Sequence, residues 1–208
     1  MAQYFDNLNL PSKKVRTECS VLGKNFIFYT DNGVFSKDGL DFGSRLLLES
    51  IPLEEVGGKV LDMGCGYGVI GIVINKVISS YVDMVDVNLR AMHLAKINIK
   101  ENNCSNINVF ESNTYSNVNT KYTSIITNPP IRAGKNVVYD IVMKAINYLN
   151  DDGKLFLVIR KEQGAKSLIR DLHNIYIVKI LNKKKGFYII ECLKPNKKNW
   201  SWGEISAI

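Results

Sequence analysis

Two histidines, four scattered cysteines and no Cys-x-x-Cys pair leave this 208-residue chain with little to offer a transition metal. Cys19, Cys65, Cys104 and Cys192 show neither zinc-ligand spacing nor a dense disulfide framework, so no metal is assigned and a reducing, cytoplasmic setting is expected. His93 and His173 fall in expected helices with no Cys or carboxylate constellation to make a triad or metal site, and read as packing or surface residues. No apolar run approaches the roughly 20 residues that cross a bilayer, so no membrane partner is expected. The start, Met1-Ala2-Gln3-Tyr4-Phe5-Asp6, has neither a basic stretch nor an apolar core and does not read as a signal peptide. Acidic residues are outnumbered, 20 against 27 basic, and the net charge of +7 favours a polyanionic partner. The local basic features are Lys183-Lys184-Lys185 and a tail from Lys194 to Trp202, where aromatics interleave with lysines. The aromatics could stack on bases, but a solvated hairpin tip and a frayed terminus account for these features more simply. Prolines number only five, and two of them adjoin at Pro129-Pro130.

The hydrophobic pattern predicts an α/β fold. Short apolar runs at 15–20 and 25–30 flank Leu22-Gly23-Lys24 as a hairpin, and a helix over 40–51 is stopped by Pro52. Strands are expected at 59–63, 82–86, 108–110, 123–127, 154–159, 175–181 and 187–192, with helices at 69–77, 88–102, 137–149 and 163–173. That alternation predicts a Rossmann-like, seven-stranded, mostly parallel sheet with helices on both faces. The last two strands are joined only by 182–186, too short for a crossover, so they form a C-terminal antiparallel hairpin. Residues 1–52 are read as a leading hairpin and helix packed on a core domain of residues 53–208.

Two motifs carry the chemistry. Asp62-Met63-Gly64-Cys65-Gly66-Tyr67-Gly68 places a glycine turn between a strand and a helix, where the backbone can approach a ligand. Gly66-x-Gly68-x-x-Gly71 formally satisfies a dinucleotide pattern, but its first glycine lies several residues past the strand. An acid at the strand end would repel a pyrophosphate and suit a ligand carrying ammonium and sulfonium groups, as S-adenosylmethionine does. Asp86, with Val87 after it, ends the next strand where an acid accepts from ribose hydroxyls, although an acid favoured only by the following helix would look the same. Ser112 and Asn113 follow the third strand, beside the adenine. Gly64, Cys65, Gly66 and Gly68 complete the expected cofactor wall.

The second motif is Thr127-Asn128-Pro129-Pro130-Ile131. Neither proline can donate a backbone hydrogen bond, so the Asn128 amide oxygen and the Pro129 carbonyl are positioned to accept from an exocyclic amine. By itself the segment fits a rigid corner equally well.

Taken together, Gly33-Val34-Phe35-Ser36-Lys37-Asp38-Gly39-Leu40-Asp41-Phe42-Gly43-Ser44-Arg45, Asp86-Val87-Asn88-x-Arg90-Ala91 and Asn128-Pro129-Pro130 make the chain similar to a known family. It resembles the catalytic domain of the ribosomal RNA small subunit methyltransferase C family, in a short form without the second, degenerate domain. The resemblance implies S-adenosylmethionine as cofactor and guanine N2 in small-subunit ribosomal RNA, free or in an assembling subunit, as substrate. It implies catalytic roles for Asn128, Pro129, Pro130 and Ile131, with Asn128 also at the cofactor. It further implies a lid over the methionine moiety or substrate from Ser36, Lys37 and Asp41, while Arg132 and Lys135, just past the motif, are read as phosphate contacts, although exposed cations are more often only solvated. Many amino-methyltransferases carry an aromatic where Ile131 stands; Phe35 is read as either its replacement or a core residue. Protein glutamine-amide and adenine-N6 methylation use the same Asn-Pro-Pro chemistry and stay open, as do a nicotinamide oxidoreductase and a catalytically silent RNA-binding module.

Overall fold

A two-residue turn at Leu22 and Gly23, with φ of 51° and 72°, joins β1 (Val15–Val21) to β2 (Lys24–Thr30) as an antiparallel hairpin. Positive φ at both turn positions matches the twist of the strands it connects. The computed structural model describes residues 11–195, and the basic tail from residue 196 onward lies outside them. Helix α1 (Phe42–Ser50) begins two residues later than the periodicity predicts, because the Asp41 carboxylate caps it by accepting from the Ser44 N–H at 3.0 Å.

From there strands and helices alternate: β3 (Lys59–Met63), α2 (Val69–Ile78), β4 (Tyr81–Asp86), α3 (Leu89–Glu101), β5 (Ile107–Glu111), β6 (Tyr122–Thr127), α4 (Lys135–Tyr148), β7 (Leu149–Arg160) and α5 (Ala165–Leu172). The hairpin of β8 (Ile177–Lys184) and β9 (Phe187–Leu193) closes the described chain. Its turn is Lys185-Gly186, both at positive φ, so β8 runs further than expected and pairs Lys184 with Phe187. Helix α5 is shorter than expected, because Gly164 at φ 89° separates it from a single 3-10 turn over Lys161–Gln163.

The main sheet has the order β5-β4-β3-β6-β7-β9-β8. Its first five strands are parallel, and β9 is antiparallel to both β7 and β8. Central strands are apolar on both faces, as burial under two helical layers requires. Val60, Val82, Ile126 and Phe156 pack with the leading hairpin, α1 and α2, while Leu61, Val85, Ile125 and Leu155 pack with α4 and α5. Val21, Phe26, Phe28 and the α1 leucines thus share one cluster with β3 and α2, on both sides of residue 52. Asn98 on α3 and Asn102, which caps its C-terminus, fasten the hairpin through the backbone of β2. Asn98 bonds both the N–H and the carbonyl of Tyr29, and Asn102 does the same for Ile27. An edge strand is thereby covered by side-chain amides. Among the described residues no helix is long and apolar enough to cross a membrane, and no group of metal-ligating side chains converges.

The strand order reverses between β3 and β6, and a crevice at the carboxyl ends of the strands is the usual consequence of such a switch point. Here it is a cavity of about 660 Å³, a size that suits a small-molecule cofactor.

Candidate active site

Four adjacent strand ends form one wall of the cavity. Ser112 and Asn113 follow β5, Asp86 and Val87 lie at β4, Gly64, Cys65 and Gly66 follow β3, and Asn128 leaves β6. At ordinary strand spacing this row spans about 14 Å, enough for an extended nucleoside bearing an amino-acid arm.

The glycine loop is held from below. The N–H groups of Gly64 and Cys65 both donate to the Val85 carbonyl at 2.9 Å, that of Gly66 donates to Asp86 Oδ2 at 2.8 Å, and that of Gly68 donates to Cys65 O at 2.9 Å. These amides are engaged within the protein, so the loop is no anion nest. Those four amides are not available to a pyrophosphate, which disfavours the nicotinamide reading. At Gly66, φ is +55° and nothing lies within 4 Å of where a Cβ would sit, so a ligand can lie against bare backbone. Bare loop backbone beside a carboxylate fits the cationic, ribose-bearing S-adenosylmethionine.

Asp86 does more than the sequence suggested. Its Oδ1 accepts from the Val87 and Asn88 N–H groups at 2.8 and 2.9 Å, and its Oδ2 from Gly66. With about four acceptor positions on a carboxylate, roughly one remains for a ribose hydroxyl rather than two. Ser112 lines the wall, but its hydroxyl is tied to Thr114 O and the Asn117 N–H.

Asp62 is placed differently from the expectation that it faces the ligand. It is fully buried beneath the loop, and its Oδ2 accepts from the Gly71 N–H at 2.8 Å in the first turn of α2. Among the described residues its Oδ1 has no hydrogen-bond partner. Burial pushes its carboxyl up to about 7, and the Asp86 charge adds to the effect. Burial moves the Asp86 carboxyl in the same direction, against the pull of its three N–H donors. Gly68 is likewise structural: it precedes α2 at φ 96°, and a Cβ there would stand 2.8 Å from the Met84 methyl.

At the other end, Thr127 Oγ1 donates to Met63 O at 2.8 Å and locks the ends of β6 and β3 together. Asn128 follows. Its Nδ2 donates to Ser44 Oγ at 2.9 Å and, at a longer 3.4 Å, to Asp41 Oδ1. The Asp41 carboxylate, which can only accept, marks the atom facing it and Ser44 as the nitrogen and leaves Oδ1 as the acceptor for a ligand. Among the described residues no hydrogen bond reaches Asn128 Oδ1 or the Pro129 carbonyl, whereas the Pro130 carbonyl accepts from Ala133 in the turn that follows.

Of the expected substrate residues, Phe35, Asp41 and Arg132 line the cavity, as do Pro129, Pro130 and Ile131. Phe35 is 54% exposed, so it is not a core residue. Its loop is tied to the start of α3 through Asn88 and Arg90, on the cofactor side. Ser36, Lys37 and Lys135 do not line the cavity. The Ser36 hydroxyl turns back to Gly39 O, the Lys37 carbonyl accepts from Thr30, and Lys135 lies over the Tyr139 ring at 4.9 Å. Sequence reasoning missed Ser44, Phe42, Arg160 and Phe187, all of which line the cavity. The first two lie inside the motif phrase beginning at Gly33, which was a usable signal; the others are distant in sequence.

Comparison with known proteins agrees with this fold. Residues 25–191 match the family model described as methyltransferase small domain. The chain is similar to the uncharacterized protein YbxB of Bacillus subtilis, at 43% identity over 198 residues, covering 92% of this chain and 97% of that protein. It is also similar to the ribosomal RNA small subunit methyltransferase C of Psychromonas ingrahamii, at 36% identity over 167 residues, covering 77% of this chain and 46% of that protein. Among solved structures, the T. thermophilus 16S rRNA N2 methyltransferase in complex with AdoMet and guanosine superposes with a TM-score of 0.79 at 24% identity, over 89% of this chain and 52% of that one. The chain thus spans nearly all of the first relative and about half the length of the other two.

Proposed function

This chain belongs to the methyltransferase small domain family and is an S-adenosylmethionine-dependent methyltransferase, and we propose that the nitrogen it methylates is the exocyclic N2 amine of a guanine in small-subunit ribosomal RNA. The observation that carries the amine is the Asn128 amide, whose nitrogen is engaged by Ser44 and Asp41 and whose oxygen is left to accept. Support for guanine and ribosomal RNA comes from relatives named as ribosomal RNA small subunit methyltransferases over most of this chain, together with a net charge of +7.

The cofactor supplies an electrophilic methyl group on a sulfonium. The chain's own part is orientation. An exocyclic purine amine is planar and a poor nucleophile because its lone pair is delocalised into the ring. Asn128 Oδ1 and the Pro129 carbonyl accept its two N–H groups, favouring a tetrahedral nitrogen whose lone pair points away from both acceptors, toward the glycine-loop side. Fixed acceptors need little reorganisation as charge develops. The nitrogen becomes acidic once alkylated, so its proton can pass to solvent without a strong base. Reaching the pocket requires the base to leave its stack, which costs least in single-stranded or unpaired RNA.

Incubating the protein with tritiated S-adenosylmethionine and naked ribosomal RNA, small subunits, ribosomal proteins or release factors tests this reading. Label recovered as N2-methylguanosine is expected. Label found only in protein, or only at adenine N6, overturns it.

A further inference from the structure

Ile131 cannot stack on a base as an aromatic would, and another part of the cavity supplies flat surfaces. β9 is antiparallel to β7, so its first residue, Phe187, arrives at the sheet edge where the parallel strands end. It pairs there with Arg160, the last residue of β7. The Arg160 guanidinium lies over the Phe187 ring, 5.0 Å from its centroid. Phe187 packs in turn on Phe42 of α1, with ring centroids 5.3 Å apart, and Lys185 from the hairpin turn lies over Phe42 at 5.2 Å. Both rings are half-buried, and both cations are exposed.

The position of this cluster is as informative as its composition. Phe42, Phe187 and Arg160 line the same cavity as Asn128. In the strand order, β7 and β9 lie beyond β6, on the side of Asn128 away from the cofactor wall of β5, β4 and β3. The cluster is braced by the same turn of α1 that orients the amide: a Cβ on Gly43 would stand 3.0 Å from Phe187 Cε1, and the next residue is Ser44. Arg160 Nε is paired with Glu162 Oε1 at 2.9 Å, an exposed ion pair that orients the guanidinium while its terminal nitrogens keep donor capacity.

We propose that Phe42, Phe187, Arg160 and Lys185 form a platform for single-stranded RNA next to the target guanine, the Phe187-backed guanidinium stacking a base while Arg160 and Lys185 hold adjacent phosphates. A guanidinium lying on a phenyl ring offers its opposite face to a nucleobase and its edge to a phosphate. Two cations over two rings at the substrate end of the cavity match a strand that carries both a flat base and a charge at each step. The platform supplies from β7 and β9 the grip that Ile131 cannot supply at β6. This inference rests on the RNA reading of the site.

The test is anisotropy of a fluorescein-labelled, guanosine-containing single-stranded RNA titrated with the full chain across a salt series, with methyl-transfer kinetics alongside. For the double variant Arg160→Gln, Lys185→Gln, the slope of log affinity against log salt should fall by about 1.4, since each lost phosphate contact on a single strand removes about 0.7. Phe187→Leu keeps an apolar side chain against α1 but loses the ring, and its KM for RNA should rise about tenfold. Cofactor affinity by calorimetry should stay at the wild-type value in both. An unchanged salt slope and KM in variants of an enzyme that does methylate RNA would overturn the platform alone. Label transferred to protein and not to RNA by the wild-type chain would overturn the RNA reading and the platform with it.

Discussion

Ser44→Ala isolates the orienting of the Asn128 amide from everything else in the site. The substitution removes one oxygen, 2.9 Å from Asn128 Nδ2, and leaves only the 3.4 Å contact to Asp41 to hold the amide in place. Asp41 still caps α1, because it accepts from the Ser44 backbone N–H, which alanine retains. Ser44 is 5% exposed and alanine nearly matches its volume, so neither a cavity nor a lost cap should destabilise the fold appreciably. A hydrogen bond of this kind contributes about 1 to 1.5 kcal/mol, and if it acts by keeping Oδ1 toward the substrate amine, its loss should lower single-turnover methyl transfer about 5- to 12-fold. Cofactor affinity by calorimetry should not move, and Ser44→Thr, which keeps a hydroxyl, should recover much of the rate. Asn128→Ala, lacking the acceptor itself, should bind cofactor and lose nearly all transfer. Transfer at the wild-type rate in Ser44→Ala, with Asn128→Ala inactive, would refute the orienting role.

Asp86→Asn keeps one oxygen for the Val87 and Asn88 N–H groups but cannot accept from Gly66 and hold a ribose hydroxyl as a carboxylate does. Losing hydrogen bonds to a charged group should weaken cofactor binding about 10- to 100-fold by calorimetry, a cost of roughly 1.5 to 3 kcal/mol. Gly66→Ala directs a methyl group into open cavity and should lower cofactor affinity in a folded protein. Gly71→Ala puts a Cβ 2.5 Å from Met84 Sδ and should lower the Tm instead, at about 1 to 3 kcal/mol for overpacking. The Asp62 carboxyl, raised to about 7, keeps its proton in the folded chain after an unfolded chain has lost it. Folded protein therefore binds more protons between about pH 4 and pH 7, and its stability should fall across that window, by up to about 4 kcal/mol if the shift is fully expressed. Denaturant melts from pH 4 to 8 should show this slope in the wild type and a flatter one in Asp62→Asn; parallel slopes would refute it.

Which of these features the sequence could show depended on how local their causes are. The strands were legible because burial under two helical layers makes each a short β-branched or apolar run, and because turns such as Leu22-Gly23 are decided by neighbouring residues. Boundaries shifted where one side chain or one glycine intervened, as at the Asp41 cap and at Gly164. Asp62 was misplaced for a different reason. An acid at a strand's last turn reads alike whether it faces a ligand or the N–H groups of the next helix, and only the backbone path through Gly64, Gly66 and Gly68 sends it to Gly71. Ser44 and Asn128, 84 positions apart, meet because the N-terminus of α1 lies over the end of β6. Phe187 stands 59 positions beyond Asn128, and no spacing rule links them either. Their convergence follows from topology: a final hairpin whose first strand, β8, runs in the same direction as the parallel strands must bring its turn to the edge where they all end. That edge receives Lys185 and Phe187 from the last hairpin and Asn128 from the fourth parallel strand in sequence. The leucine-rich helix after Asp41 is then the piece that joins them, since Phe42 packs on Phe187, Gly43 makes room for that ring, and Ser44 holds the amide. Three consecutive residues thus couple the surface that would hold the RNA to the atom that would orient its amine, so that a shift of α1 would alter both together.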